Sequence, residues 1–301
     1  MRPILGEIEP GGRVLFIRLR SMGDCVLTTP ALRMLASYRP DLEIGVMVDA
    51  AFAGVYEGLP FVHRVLKPTY GEALGFHPSL CVNLHGGTRS AFLTAASMAR
   101  HRAGFGHFRL QSLYSVAIPR AQEILGEERV VHTAEHVASA MFYLGLPVAE
   151  IPRAQLAAGP AVVGSRYAVL HPFASAVAKT WGSSRFVALA SWVREKLGLE
   201  PVILAGPVDD VAPFTGFRCE VARPLAEVKR LLRDAALFVG NDSGPAHIAA
   251  AFDVPLVVLF GPSDPTIWAP WRASRAALVT SDGALDTIGI EQVQRAVERV
   301  Q

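Results

Sequence analysis

The chain has 301 residues, 51% of them hydrophobic, and its 29 basic and 27 acidic residues give a formal net charge of +2. This length favours two α/β domains of roughly 150 residues each, and the balanced charge argues against a nucleic-acid partner. The three cysteines lack zinc-ligand or disulfide spacing, and neither a signal-peptide pattern nor a membrane-spanning apolar run is present. We therefore expect a soluble cytoplasmic protein that is still able to touch a membrane surface.

Short apolar runs alternate with helical patterns along the whole chain, which is typical of parallel sheets covered by helices. A segment rich in proline and glycine, residues 145–165, predicts a linker between domains 1–150 and 151–301. The predicted strands of the first domain are residues 13–18, 42–48, 62–66 and 80–84, and its helices are 27–35, 91–100 and 133–144. Those of the second domain are strands 166–170, 201–205, 237–239 and 255–260, and helices 185–197, 225–233 and 290–300.

The loop after the first strand, Leu19-Arg20-Ser21-Met22-Gly23-Asp24, carries a carboxylate and lacks the G-x-G-x-x-G pattern of dinucleotide-binding proteins. Asp24 is either a helix cap or a functional group at the carboxyl end of a strand, where open α/β sheets bind ligands. The residues alone leave both interpretations open.

Three further features of the first domain carry weaker signals. The loop at residues 85–90 is either an acceptor contact or an ordinary glycine-rich turn. Residues 100–110 interleave basic and aromatic side chains, and we predict a solvated loop there rather than a contact for an anionic lipid or saccharide. His132 and His136 lack a nearby carboxylate at metal-ligand spacing, so we interpret them as cap or surface residues and predict no metal site.

Two loops of the second domain point to an anionic ligand. The loop at residues 171–181 contains Ser175 and Lys179, and a lysine stands out in a chain with four of them. At residues 240–245 an apolar strand ends in Gly240-Asn241-Asp242-Ser243-Gly244-Pro245, where we expect the Asp and Ser side chains to cap the next helix. A helix N-terminus there would hold a phosphate, with His247 in its first turn. The alternative is that this is the usual glycine-rich turn of a doubly wound domain.

The motifs Asp242 to Ala251 and Phe260 to Pro265, together with Ser21 to Asp24 near the N-terminus, resemble those of the ADP-heptose:lipopolysaccharide heptosyltransferases, glycosyltransferase family 9. This resemblance implies an α/β protein of the GT-B fold, with two Rossmann-like parallel-sheet domains facing across a cleft. It also implies that the last helix packs on the first domain. This chain departs from the family pattern at Phe173, where glycine is common, and at Gly182, where proline is common.

The resemblance further implies an inverting, metal-independent transfer of a heptose or related sugar from an ADP-sugar to a lipopolysaccharide-core or other saccharide acceptor. No cofactor is expected, and the partners are the donor, a saccharide or lipid-linked acceptor and, peripherally, the inner membrane surface. The implied catalytic base is Asp24, and the implied donor-binding residues are Ser175, Lys179, Asp209 (or Asp210), Asp242, Ser243, Gly244 and His247. The competing hypotheses are a nucleotide-sugar epimerase or hydrolase and a non-catalytic binding protein.

Overall fold

The computed structural model describes residues 3–160 and 166–301, so residues 161–165 of the predicted linker lie outside the described residues. The chain divides into two compact units, Met1–Ala157 and Ala158–Gln301. The first unit extends beyond residue 150 because Ile151, Ala154 and Leu156 are buried in it. The Gln155 N–H also donates to Thr29 Oγ1 at 3.1 Å. Much of the segment predicted as a linker therefore packs on the first unit.

Within the described part of the first unit, six parallel strands form one sheet in the order β3-β2-β1-β4-β5-β6. The winding direction of the sheet reverses between β1 and β4, which is the doubly wound arrangement. The strands are β1 Arg13–Ile17, β2 Glu43–Met47, β3 Arg64–Leu66, β4 Leu80–Asn83, β5 His101–Phe105 and β6 Val116–Ile118. The α-helices are α1 Met22–Tyr38, α2 Tyr70–Gly75, α3 Thr88–Ala96, α4 Ala121–Leu125 and α5 Thr133–Leu144.

The sheet is covered on both faces, which explains the continuous apolar sequence of β1. Leu15 and Ile17 pack in a cluster with Leu93 of α3 and Ala73 of α2. Val14 and Phe16 alternate with them along the strand and are also fully buried. The central strand therefore holds its register through side chains on both faces of the sheet.

Of the segment predicted as a solvated loop, residues 100–110, His101–Phe105 form strand β5, so the prediction is wrong there, whereas residues 106–110 form a largely exposed loop as predicted. Ala103 and Phe105 are fully buried, and β5 pairs with β4 and β6. A basic side chain is compatible with the strand because the Arg102 guanidinium donates hydrogen bonds to the carbonyls of Leu113 (3.0 Å) and Ala99 (2.9 Å).

The two histidines of the predicted helix 133–144 have structural roles. His132 is the N-cap residue of α5, and its Nδ1 accepts the Ala134 N–H at 3.1 Å, so the cap interpretation of His132 is confirmed. His136 stacks on Phe105 of β5 with ring centroids 4.0 Å apart. Burial, followed by the neighbouring His107 and Arg18, lowers the pKa of His136 to about 4.

The second unit repeats the architecture of the first. Within residues 166–301, six parallel strands form a sheet in the order β12-β11-β10-β7-β8-β9, with the reversal between β7 and β10. The strands are β7 Tyr167–His171, β8 Glu200–Ala205, β9 Arg218–Val221, β10 Leu237–Asn241, β11 Leu256–Phe260 and β12 Ala276–Thr280. The α-helices are α6 Ser183–Trp192, α7 Leu225–Arg233, α8 Gly244–Ala251, α9 Pro265–Trp268 and α10 Ile290–Val300.

The last helix, α10, packs within the second unit, and the expectation that it packs on the first domain stays a prediction. Its apolar residues Val293, Ala296 and Val297 recur at helical spacing and are fully buried in the core of the second unit. They pack there with β11, β12 and α6. The helix thus completes the core of its own unit.

We expect His136 to make the protein less stable in mildly acidic solution. Its pKa is about 4 in the folded protein and about 6.5 in an unfolded chain, so the folded state disfavours protonation. The stabilisation is complete above about pH 6.5 and is lost as the pH falls toward 4. Urea unfolding at about pH 7.5 and about pH 4.5 should show wild type losing about 2 kcal/mol more than His136→Gln, which cannot titrate.

The control is His77→Asn, at an exposed position, which should keep the pH dependence of wild type. If His136→Gln also kept it, His136 would not be the group that titrates.

Candidate active site

Most of the predicted site residues follow the two strand pairs at which the winding direction of the sheet reverses. They lie at the carboxyl ends of those strands. In open α/β sheets, ligands bind in the crevice at this switch point. In the first unit, β1 leads to Asp24 and β4 leads to the loop at residues 85–87. In the second unit, β7 leads to Lys179 and β10 leads to Asp242. The two candidate sites, one in each unit, are therefore at equivalent places in the two sheets.

Both oxygens of the Asp24 carboxylate are held by neighbouring groups. Oδ2 accepts the backbone N–H of Ser21 at 3.2 Å and its hydroxyl at 3.0 Å, and Oδ1 lies 3.6 Å from Nη1 of Arg18. As the third residue of α1, Asp24 bonds back to the residue before the helix, as a capping side chain does. It also lies at the switch point, so the structure combines the two interpretations left open by the sequence.

Two further groups lie around Asp24: Arg18, which was not among the predicted site residues, and His85, which belongs to the loop considered as an acceptor contact. Arg18 follows β1 and is 7% exposed, and its Nε has no hydrogen-bond partner among the described residues. Burial, followed by the charges of Arg18 and Arg20, lowers the pKa of His85, which favours the neutral form of its imidazole. The one sequence signal for Arg18 was a basic residue directly after an apolar strand.

The loop that carries His85 is fixed by Asn83, the last residue of β4. Its Oδ1 accepts the N–H groups of His85 (2.9 Å) and Gly86 (3.1 Å), and its Nδ2 donates to Ser90 Oγ (3.1 Å) and Tyr114 Oη (2.9 Å). The Tyr114 ring lies against Gly104 of β5, where a Cβ would come within 2.5 Å of it. The loop is thus a well-defined turn, as one interpretation proposed, and it presents His85 near Asp24.

The structure brings together two predicted donor-binding residues of the second unit. Lys179 ends the short 3₁₀ turn Val177–Lys179, and its Nζ lies 3.1 Å from Oδ2 of Asp242. Asp242 directly follows β10, and its side chain is 10% exposed compared with 33% for Lys179. An ammonium group therefore sits beside the loop that begins α8.

Helix α8 begins at Gly244, with Ser243 as its N-cap residue in an extended conformation. Pro245 carries no N–H and the Ala246 N–H donates to the Ser243 carbonyl at 3.2 Å, so the Gly244 N–H is the donor of the first turn that a ligand could use, and the helix dipole adds positive potential there. His247 is buried in that turn at 5% exposure. The expectation that Asp242 and Ser243 side chains cap this helix is wrong, because Asp242 pairs with Lys179 and the helix has no side-chain cap bond.

Two hydroxyls in the loops that follow β10 and β11 are buried without a hydrogen-bond partner among the described residues: Ser243 Oγ and Ser263 Oγ. Ser263 lies in the loop that follows β11, the strand next to β10. Unpaired buried hydroxyls are costly in a folded protein and are expected to bind a ligand or water. Ser263 belongs to the motif Phe260 to Pro265 but was not among the predicted donor-binding residues.

Asn241, the last residue of β10, anchors the loop that carries Lys179. The residue is fully buried. Its Oδ1 accepts the Trp181 N–H at 3.2 Å, and its Nδ2 donates to the Pro172 carbonyl at 2.9 Å. The Trp181 indole also donates to the Ile288 carbonyl at 2.8 Å. Both ends of the loop are therefore fixed, whereas Ser175 in its middle is exposed.

The exit of this loop depends on Gly182, which has a φ of 94°. Proline cannot adopt this value because its ring holds φ near −65°. The backbone at this departure from the family pattern therefore follows a path that a proline would forbid.

The two acids considered for the ribose both bond to their own loop. Asp209 Oδ2 accepts the Gly206 N–H at 2.7 Å, and Asp210 Oδ1 accepts the Ala212 N–H at 2.9 Å. Asp209 is half-buried at the end of β8, which pairs with β7, whereas Asp210 is exposed. Asp209 is therefore the better placed of the two acids for a ligand at this edge.

Residues 3–160 and 166–301 lack both a helix suited to crossing a bilayer and a cluster of side chains suited to a metal ion. Among these residues, no helix combines the length and the apolar character that a bilayer crossing needs. The same residues contain no cluster of three or more His, Cys, Asp or Glu side chains suited to a metal ion.

Known proteins share both the sequence and the fold. The family model "Glycosyltransferase family 9 (heptosyltransferase)" matches residues 79–295. Lipopolysaccharide heptosyltransferase 3 of Escherichia coli is 28% identical over 290 residues, which cover 84% of each chain. A glycosyltransferase family 9 protein of Veillonella parvula has a TM-score of 0.83 at 19% identity and covers 96% of this chain and 97% of that chain.

The E. coli heptosyltransferase WaaC with ADP has a TM-score of 0.78 at 20% identity, with 96% of this chain and all of that chain covered. Together with the Veillonella parvula structure, it confirms the predicted fold class.

Proposed function

The chain belongs to glycosyltransferase family 9, the heptosyltransferases, and on that premise we propose that it transfers a heptose from ADP-heptose to a hydroxyl of a lipopolysaccharide-core saccharide. The family predicted from the motifs is thereby confirmed, and the chain is a glycosyltransferase. The proposal adds the donor, the acceptor, inversion at the sugar C1 and independence of metal ions. It also adds a cytoplasmic location with peripheral contact at the inner membrane surface, where a lipid-linked acceptor is available.

One observation carries the donor assignment: Lys179 and the start of α8 lie side by side at the switch point of the second sheet, joined by the Lys179–Asp242 ion pair. A diphosphate needs positive charge and N–H donors at close range, and a lysine beside a helix N-terminus supplies both. Relatives support this assignment, because E. coli WaaC has been solved with ADP and with ADP-2-deoxy-2-fluoro heptose.

The proposed reaction is a direct displacement. Asp24 removes the proton from the acceptor hydroxyl, and the oxygen attacks C1 of the heptose from the face opposite the diphosphate. The bond between C1 and the diphosphate oxygen breaks, and ADP leaves with the bonding electron pair. The configuration at C1 is therefore inverted, and no covalent intermediate forms. The mechanism requires the acceptor hydroxyl held by Asp24 to reach C1 of the bound donor during turnover.

The remaining groups orient the base or stabilise the leaving group. Ser21 and Arg18 hold the two Asp24 oxygens, which fixes the orientation of the base. Lys179 and the first turn of α8, with His247, stabilise the charge that develops on the departing diphosphate. Because the protein supplies this positive charge, the leaving group needs no metal ion and no further cofactor.

Asp24→Asn should lower turnover by a factor on the order of a hundred or more, which is typical for loss of a general base, while ADP still binds. Transfer is measured by ADP release in the presence of acceptor, and ADP binding by calorimetry. Glu195→Gln, an exposed carboxylate near the end of α6, makes the same chemical change away from the site and should leave turnover unchanged. Near-normal transfer by Asp24→Asn would contradict the assignment of the base.

Lys179→Ala should weaken ADP by about 1.5–3 kcal/mol, since it removes a charge-assisted bond, and should leave adenosine unchanged. The variant also leaves Asp242 without its ion-pair partner, which adds repulsion to the phosphates. His247→Ala should act in the same direction but less. The matched control is the exposed Lys196→Ala. Equal losses for ADP and adenosine in calorimetric titrations would place the phosphate site elsewhere.

Removal of divalent ions should leave transfer unchanged, because the diphosphate charge is balanced by Lys179 and α8. The measurement compares initial rates before and after EDTA treatment, and again after Mg²⁺ or Mn²⁺ is added back. Activity that EDTA abolished and either ion restored would rule out a metal-independent mechanism.

A further inference from the structure

Asn83 and Asn241 occupy corresponding places in the two units. Each is fully buried, and each is the last residue of the strand that lies beyond the reversal, β4 in the first unit and β10 in the second. Burying an amide is unfavourable unless its donor and acceptor are both used. Both residues use their amide donor and their amide acceptor, and both bond to groups of the candidate site of their own unit.

The two bonds of Asn241 join the two ends of one loop. Pro172 begins the loop after β7, and Trp181 ends it before α6. The Asn241 side chain accepts from the Trp181 N–H and donates to the Pro172 carbonyl. The amide therefore closes residues 172–181 into a loop whose base is fixed on β10, and Lys179 lies two residues before one of the anchored ends.

Only an amide side chain of this size satisfies both groups. Aspartate would keep the acceptor and lose the donor, and an apolar residue would lose both and leave two buried backbone groups without partners. Asn241 is also the immediate neighbour of Asp242, the ion-pair partner of Lys179. One residue thus couples the position of Lys179 to the start of α8.

We propose that Asn241 is a positioning residue for donor binding, which acts through Lys179 by holding the 172–181 loop at the phosphate site. This inference rests on the proposed function, because the ligand that Lys179 holds is the donor diphosphate. Asn83 is its counterpart in the first unit, where it positions the loop of His85 and has no part in binding the donor.

The test is calorimetric titration of ADP and adenosine against wild type, Asn241→Ala, Asn83→Ala, Lys179→Ala and the Asn241→Ala/Lys179→Ala double variant. Asn241→Ala should weaken ADP about tenfold and leave adenosine nearly unchanged. Asn83→Ala, which removes an equally buried amide, should alter neither. In the Lys179→Ala background, Asn241→Ala should cause no further loss of ADP affinity, because residues that act through one contact are not additive.

A purely structural role for Asn241 would give a different result: equal losses for ADP and adenosine, or additive losses in the double variant, and either would overturn the proposal. Thermal unfolding of each variant verifies that it is folded, and Asn241→Ser, which retains a hydroxyl, replaces Asn241→Ala if the latter does not fold. Failure of wild type itself to bind ADP would instead overturn the proposed function, and the inference with it.

Discussion

The reversal of winding direction within each parallel sheet is the constraint on which the rest of the structure depends. Connections leave a parallel strand at its carboxyl end, and where neighbouring strands send their chains to opposite sides, a gap opens between the two loops. The same gap is bordered by the N-terminal turns of the following helices, whose N–H groups lack partners. Strand order β3-β2-β1-β4-β5-β6 and its counterpart in the second unit create one such gap each.

A gap of this kind can hold a ligand in one orientation only if the loops that border it are fixed. The chain fixes these loops with buried polar groups. Asn83 and Asn241 tie loops to the sheet, and ion pairs join Arg18 to Asp24 and Lys179 to Asp242. Such groups add little net stability, because the cost of removing them from water offsets much of their attraction. Their contribution is geometric, since they fix where charge and hydrogen-bond donors point.

The sequence predicted those parts of the fold that depend on local patterns. Continuous apolar runs indicated the central strands, and the motif around Asp242 identified the family and its fold, both now confirmed. Strand β5 was missed because basic side chains flank its buried residues. Lys179 and Asp242 lie 63 positions apart in the sequence, and Asn241 lies 60 positions from Trp181 and 69 from Pro172. Such pairings depend on strand register, which a single sequence does not show.

Gly182 bears on how this chain is compared with its relatives. Its positive φ turns the backbone into α6 directly after the Trp181 anchor, and a relative with proline at that position must enter the helix by another route. The loop that leads into the helix then takes a different course in such a relative. Residue equivalences across the 172–181 loop should accordingly be assigned by superposition of the strands β7 and β10, because a substitution transferred to a relative with proline there by alignment alone would fall on a differently placed part of the loop.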